Sequence, residues 1–256
     1  MSKKITIFLL GAGLFFASVG TPAVFAEKPA TKAAIKQDAV ISRLKTRADK
    51  EIDRRVAALT KLLEKINAMK RLTSDQKTTF TNGIQGQITS LNTLKIKIDG
   101  DTDIATLRTD VQSIVKGYRI FALYMPQINI VAHADRILAV IDDMNAISAR
   151  LQTRIDEAKA AGKDTSAMQT LMTDRASKLT DATTQANNAI AAVVSLTPDG
   201  YPANKTTLKS AKNLLQTARQ DLVKALQDMQ QIRELLRKAG IQTNAKITPE
   251  PTKSAD

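Results

Sequence analysis

The chain has 256 residues, a formal net charge of +13, and neither cysteine nor tryptophan. The lack of cysteine excludes a disulfide framework, a thiol nucleophile and the lipid-bearing cysteine of a bacterial lipoprotein. Aromatic residues make up 4% of the chain and hydrophobic residues 43%. This balance favours long helices over β-sheets.

The first 26 residues have the pattern of a secretory signal peptide. Two lysines precede an apolar stretch from Ile5 to Gly20, and the small residues Val24 and Ala26 suit a cleavage site before Glu27. An uncleaved N-terminal membrane anchor is the alternative, because a bilayer takes about 20 apolar residues. The signal carries two lysines and no acidic residue, which leaves +11 for the rest. We therefore expect an exported cationic protein, secreted, periplasmic or at the cell surface.

Six later segments carry apolar residues at three- and four-residue steps, the spacing of helices that bury one face. The predicted helices span residues 31–69, 74–98, 103–125, 127–161, 164–195 and 204–238, with a cap at Thr73 or Ser74 for the second and at Gly162 for the fourth. Pro126 lacks an amide hydrogen and should end or kink the third helix.

Short polar links between these segments predict an elongated antiparallel bundle of about six long helices. The expected packing is of the coiled-coil or spectrin-like kind. The resulting division is a signal peptide at 1–26, a helical bundle at 27–240 and a disordered polar tail at 241–256. The bundle divides further into sub-units at 31–125 and 127–238.

The stretch GYRIFALYMPQ, residues 117–127, holds three of the few aromatic residues outside the signal. Tyr118, Phe121 and Met125 continue the apolar stripe of the third predicted helix, so we expect them in the core. Tyr124 lies one position off that stripe and should be partly exposed. The alternative interpretation of the cluster is a contact with a ligand or lipid.

One acidic segment has part of a calcium-loop pattern. Asp99, Asp101, Asp103 and Asp110 fall at positions 1, 3, 5 and 12 of an EF-hand loop. Ile104 occupies the position that needs glycine, and Asp reaches less far than Glu at position 12. These carboxylates form only a weak metal candidate, since helix capping explains them equally simply.

Few residues suit catalysis. His133 is the only histidine; it borders the apolar stripe of the fourth helix and is predicted to be a packed histidine. No glycine-rich phosphate loop and no nucleophile turn around a serine are found. We therefore expect no enzymatic activity and no cofactor.

The first predicted helix carries most of the positive charge. Between Thr31 and Arg71 there are twelve basic and five acidic residues, a net +7. Seven of the basic residues share one helix face, opposite the apolar stripe, and we call this set the basic ridge: Lys36, Arg43, Arg47, Lys50, Arg54, Lys61 and Lys65. It predicts contact with a polyanion. The alternative is a solvated helix face with intrahelical pairs such as Glu51–Arg55.

Four segments of the chain carry a resemblance to a known group of proteins. They are RLKTRADKEIDRRVAALTKLLEKINAMKRLTSDQK, GYRIFALYMPQINIVAHADRI, RIDEAKAAGKD and SLTPDGYPANK. Together they resemble uncharacterised secreted all-helical proteins of small-genome candidate-phylum bacteria. The resemblance implies export and an all-helical fold. It carries no assigned activity and so no functional residue.

The sequence thus predicts an exported, non-enzymatic helical protein of the cell envelope. Its basic ridge would contact an anionic envelope polymer or lipid surface, or nucleic acid without sequence preference, because the first helix lacks aromatic residues for base stacking. One alternative is a purely structural assembly whose heptad helices pair with a partner protein or a second copy. Another is a periplasmic chaperone that uses a small-residue groove near the fifth helix.

Overall fold

The computed structural model describes residues 32–241, so the predicted signal peptide and the predicted tail from residue 242 onward lie outside the described residues. All regular structure in the described part is helical, with no strand, which confirms the all-α class. The α-helices are α1 Lys32–Ala68, α2 Ser74–Gly100, α3 Ile104–Lys116, α4 Met125–Ala160, α5 Ser166–Val194 and α6 Asn204–Lys238. None of these six has the length and apolarity needed to cross a membrane.

The number of long helices differs from the prediction. Five helices have 27 residues or more, but α3 has only 13 and ends at Lys116 rather than near Met125. A π-helix, Ile120–Tyr124, separates α3 from α4. The expectation of six long helices is therefore wrong at the third.

Local capping explains where several helices begin and end. Thr73 is the N-cap of α2: its side chain accepts a hydrogen bond from the backbone N–H of Gln76, whose side chain accepts one from the Thr73 N–H. Gly162 follows α4 with φ +74°, and the Lys163 N–H donates to the carbonyl of Ala158 at 3.0 Å. A left-handed glycine with this bond satisfies the last carbonyls of the helix, as predicted for Gly162.

The connection from α3 to α4 is the irregular part of the chain. Arg119 adopts a left-handed backbone with φ 43°, a conformation that costs a non-glycine residue roughly 1–2 kcal/mol. The π-helix then runs directly into α4, whose first turn contains Pro126. The residues before Pro126 are already helical, so its missing amide hydrogen falls where π-type bonding gives way to α-type bonding. The third helix, which the proline was predicted to end or kink, stops earlier, at Lys116.

This irregular segment reverses two predicted side-chain orientations. Phe121, expected in the core, is 37% exposed, and Tyr124, expected to be partly exposed, is only 6% exposed. Tyr118 and Met125 are half-buried against the core. A π-turn holds more residues than an α-turn, so the 3.6-residue period cannot be continued through it.

Contacts with the α5–α6 turn hold the start of α4 in place. Burial and the nearby charge of Asp199 raise the pKa of Tyr124 to about 12. The guanidinium of Arg119 lies 4.7 Å from the centre of the Tyr201 ring. Gln127 is buried and its Nε2 donates to the Val193 carbonyl. These contacts attach the α3–α4 junction to the turn that joins α5 to α6.

Helices α4, α5 and α6 pack against one another, and α5–α6 is the most extensive helix contact of the described chain. Buried alanines occur on both of its helices: Ala182, Ala186 and Ala189 on α5, and Ala211, Ala218 and Ala225 on α6. On α5 the buried stripe also includes Arg175. The spacing of Met172, Ala176 and Leu179 predicts that Ala176 faces inward, but Ala176 is exposed. Helix α1 packs mainly on α2 and α3, and one apolar core continues from α1 to α6.

Candidate polyanion-binding surface

Helix α1 presents two different faces. Its sequence contains no glycine or proline across 37 residues, which suits an uninterrupted helix. Ile52, Leu59 and Ile66 are completely buried on one face. On the other face, every member of the basic ridge is exposed except Lys65, which is half-buried. The ridge extends over about 43 Å at 1.5 Å per residue.

Five members of the ridge form no ion pair within residues 32–241: Lys36, Arg43, Arg47, Lys50 and Lys61. Two acidic residues of the same helix have other partners. Glu51 pairs with Arg54 and Arg55, and the Asp53 carboxylate lies 2.8 Å from the ammonium of Lys95 on α2. These five cations therefore keep their charge available to a partner in solution.

Arg54 interrupts this series. Its guanidinium pairs with Glu51 at 2.7 Å and lies 4.4 Å from the centre of the Phe121 ring. Arg55 is buried, also pairs with Glu51, and lies 5.3 Å from the same ring. The predicted Glu51–Arg55 pair is thus confirmed. The partly exposed ring of Phe121 thus contacts two arginines of α1. Arg54 is the ridge member with the most partners within the protein.

Lys65 connects the ridge to a second group of cations. Its ammonium donates to the Asn129 side-chain oxygen at 2.8 Å, and burial together with the charge of Arg136 lowers its pKa. Arg136 belongs to α4, so positive charge from two helices meets at this point.

His133 lies beside these cations and is exposed, so the expectation of a packed histidine is wrong. Partial desolvation lowers the pKa of His133. The charges of Arg136, Lys65, Arg219 and Lys212 lower it further. Cations of α1, α4 and α6 therefore surround one imidazole.

Helical spacing contained a signal for this second group. On α6, Lys205, Lys209, Lys212 and Arg219 follow one another at steps of four, three and seven residues, and all are exposed. The same steps define a single helix face. Their proximity to α4 and to Lys65 depends on tertiary packing, which the periodicity of one helix does not contain.

The four aspartates of the candidate calcium loop do not come together as one metal site. No group of three or more histidine, cysteine or acidic side chains in the described part of the chain is placed to hold a metal. Asp103 caps α3 instead, accepting from the Thr106 N–H at 2.7 Å, and this bond lowers its pKa. Asp110 is buried and accepts from the Lys97 ammonium at 3.0 Å. Capping accounts for Asp103 and ion pairing for Asp110, while burial and the neighbouring Asp110 raise the pKa of Asp101.

The small-residue surface of α5 is not an open groove. Ala182, Ala186 and Ala189 are completely buried in the core shared with α6. Small side chains let two helix backbones approach closely, so this face serves packing. The small-residue groove predicted near the fifth helix is therefore filled at these alanines.

Comparison of the chain with models of known protein families, with curated proteins and with solved structures gives no match.

Proposed function

We propose that this chain is an exported, non-enzymatic helical binding protein of the cell envelope whose basic ridge contacts an anionic polymer or membrane surface. The observation that carries the proposal is the row of five exposed cations on α1 without ion pairs among residues 32–241. Export is supported by the signal-like pattern of residues 1–26. The absence of catalysis rests on the single histidine and the lack of cysteine.

The proposal includes an elongated, antiparallel arrangement of the helices. Short links at residues 161–165 and 195–203 join helices that pack against each other, and such links favour antiparallel neighbours. Helix α1 has 37 residues and is about 55 Å long at 1.5 Å per residue. A helix of this length suits an extended ligand better than a small one.

The mechanism is electrostatic. Each Lys or Arg near an anionic surface contributes about 1 kcal/mol, and α1 places five unpaired cations on one line. Because these charges are exposed, salt should screen them, with a Debye length of about 10 Å at 0.1 M ionic strength. Binding should therefore weaken steadily as salt is added, whichever anionic polymer is used.

The direct test is sedimentation of the protein, without its first 26 residues, with vesicles containing phosphatidylglycerol and with isolated cell-wall polymer. The ridge variant R43Q/R47Q/K50Q/K61Q removes four unpaired charges. We expect its affinity to fall at least about tenfold. Circular dichroism should show unchanged helicity, since all four side chains are exposed.

A matched control has the same net charge as the ridge variant but loses its four cations at other positions. K116Q/R150Q/K159Q/K163Q removes four exposed cations from other parts of the surface, none of them in an ion pair of the described chain. Its binding should stay close to that of the parent chain. Equal losses in both variants would mean that total charge, and not the ridge, determines binding. Binding that persists in high salt would also contradict the proposal.

A further inference from the structure

A groove of about 910 Å³ lies between α4 and α6. These two helices contact each other less extensively than α5 and α6 do. The apolar residues that line it are Pro126, Ile130, Ile137, Val140, Leu215 and Leu222. Val140 is 45% exposed although it is a large apolar residue. Ile130, Ile137 and Leu215 are almost completely buried beneath it. Val140 and the half-buried Leu222 therefore offer most of the apolar surface that a ligand from solution could contact.

The polar lining of the groove is entirely neutral or basic. Arg136 of α4 and Lys212 and Arg219 of α6 contribute three positive charges, and no acidic residue lines the groove. None of the three forms an ion pair within the described residues. Lys65 of α1 adds a fourth charge near His133, whose pKa is lowered by partial desolvation and by these four cations. Charge complementarity thus calls for an anion.

We infer that this groove binds a long-chain fatty acid, with the acyl chain against the apolar floor and the carboxylate among Arg136, Lys212 and Arg219. The volume falls within the range of about 300–1,000 Å³ typical of sites for single small ligands. A bilayer is flat and does not enter such a groove, whereas a free acyl chain does. The apolar floor and the cationic rim match the two ends of this ligand class.

This site is separate from the basic ridge. None of the five unpaired ridge cations lines the groove. Lys65 alone belongs to the ridge and lies near the groove. The two surfaces also differ in chemistry, because the ridge has no apolar floor. Loss of one binding activity is therefore expected to leave the other intact.

The test measures binding of dansyl-labelled undecanoic acid by fluorescence, followed by displacement with palmitate. We expect saturable binding at one site and competition by palmitate. Hexadecanol, which has the same chain without the charge, should compete at least about tenfold more weakly, because the cations of the rim then lack a partner. Absence of saturable binding, or equal competition by the alcohol, would overturn the inference.

Two valine substitutions provide a matched pair. Val140 lines the groove, while Val223 on α6 is 55% exposed and lies outside it. V140D places a carboxylate on the path of the acyl chain and should weaken binding at least about tenfold. V223D introduces the same charge at a similarly exposed helical site and should change binding less than about threefold. Equal effects would show that the groove is not the site.

His133 gives a readout that does not depend on the dye. As the only histidine of the chain, it gives one imidazole signal in NMR. A carboxylate among Lys65, Arg136, Lys212 and Arg219 offsets their charges, so saturating palmitate should raise the pKa of His133. No change of this pKa on binding would place the ligand elsewhere and overturn the inference.

The ridge variant separates this inference from the proposed function. R43Q/R47Q/K50Q/K61Q should bind palmitate like the parent chain even as it loses vesicles. If palmitate fails to bind while vesicle binding still depends on the ridge, only the groove inference fails. If V140D abolishes vesicle binding and palmitate does not bind, the groove receives a membrane lipid or an acidic partner, and the fatty-acid inference is wrong.

Discussion

The α5–α6 pair and the α3–α4 junction are packed with side chains of opposite size. Alanines of α5 and α6 are completely buried in an extensive, regular contact between long helices. The junction instead concentrates bulky side chains, among them Ile120, Leu123 and Tyr124, around a π-helix. One region depends on small residues at a constant spacing, the other on large residues at a broken spacing.

This difference predicts which changes in side-chain size each region tolerates without losing stability. A contact made by alanines has no room for extra volume, and overpacking costs about 1–3 kcal/mol. A cluster of large side chains leaves a cavity when one is shortened, at a cost of about 2–5 kcal/mol. The two regions should therefore respond to opposite changes in side-chain size.

The largest effect is expected from L123A in the junction. Leu123 is fully buried, so its truncation should lower the free energy of unfolding by about 2–5 kcal/mol. Urea denaturation followed by circular dichroism measures this. The control V115A, at an exposed position of α3, should change stability by less than about 0.5 kcal/mol. Similar values for both would mean that the π-helix is not packed as described.

A smaller loss is expected from A218L on α6. Ala218 is completely buried, and a leucine there should separate α5 from α6 and cost about 1–3 kcal/mol. A176L on α5 is the matched control, because Ala176 is exposed and the same change should cost less than about 0.5 kcal/mol. A larger loss of stability in A176L than in A218L would mean that Ala176 faces inward, as the spacing of α5 predicts. Both are measured in the same denaturation assay.

The smallest expected effect is the difference in stability between a glycine and an alanine at the same position, and its sign is the test. At Arg119, whose φ is 43°, R119G should be more stable than R119A by about 1 kcal/mol, because glycine adopts the left-handed region without strain. Both variants lose the contact with Tyr201, so the difference isolates the backbone. At exposed Ala149 within α4, A149G should instead lose about 1 kcal/mol. The same sign at both sites would argue against a left-handed Arg119.

Much of the fold follows from periodicity. The bounds predicted for α6 agree with the structure, since its apolar stripe runs without interruption from Leu208 to Leu236. The α3–α4 junction does not follow, because a left-handed residue and a π-turn change the number of residues per turn. Arg175 is a second failure: it is 1% exposed, and its guanidinium donates to the Met144 carbonyl at 2.6 Å. Hydrophobicity alone would place this residue outside the core.

The candidate surfaces were predictable to different degrees. The basic ridge lies on one helix, so spacing alone assigned its members to one face. Spacing did not reveal that Arg54 contacts Phe121, because that ring was expected inside. The α4–α6 groove combines residues from helices distant in sequence, such as Arg136 and Arg219. Only their packing brings them together.

The contact between Arg54 and Phe121 divides the unpaired cations of the ridge into two groups, which we call arms. One arm contains Lys36, Arg43, Arg47 and Lys50, and the other begins at Lys61, about 16 Å further along the helix. A short anion can engage one arm only, whereas a polymer longer than this gap can hold both at once. Simultaneous engagement raises the effective concentration of the second arm. Under the proposed function, the avidity of the ridge should therefore increase with the length of the polyanion and level off once the ligand covers the whole helix.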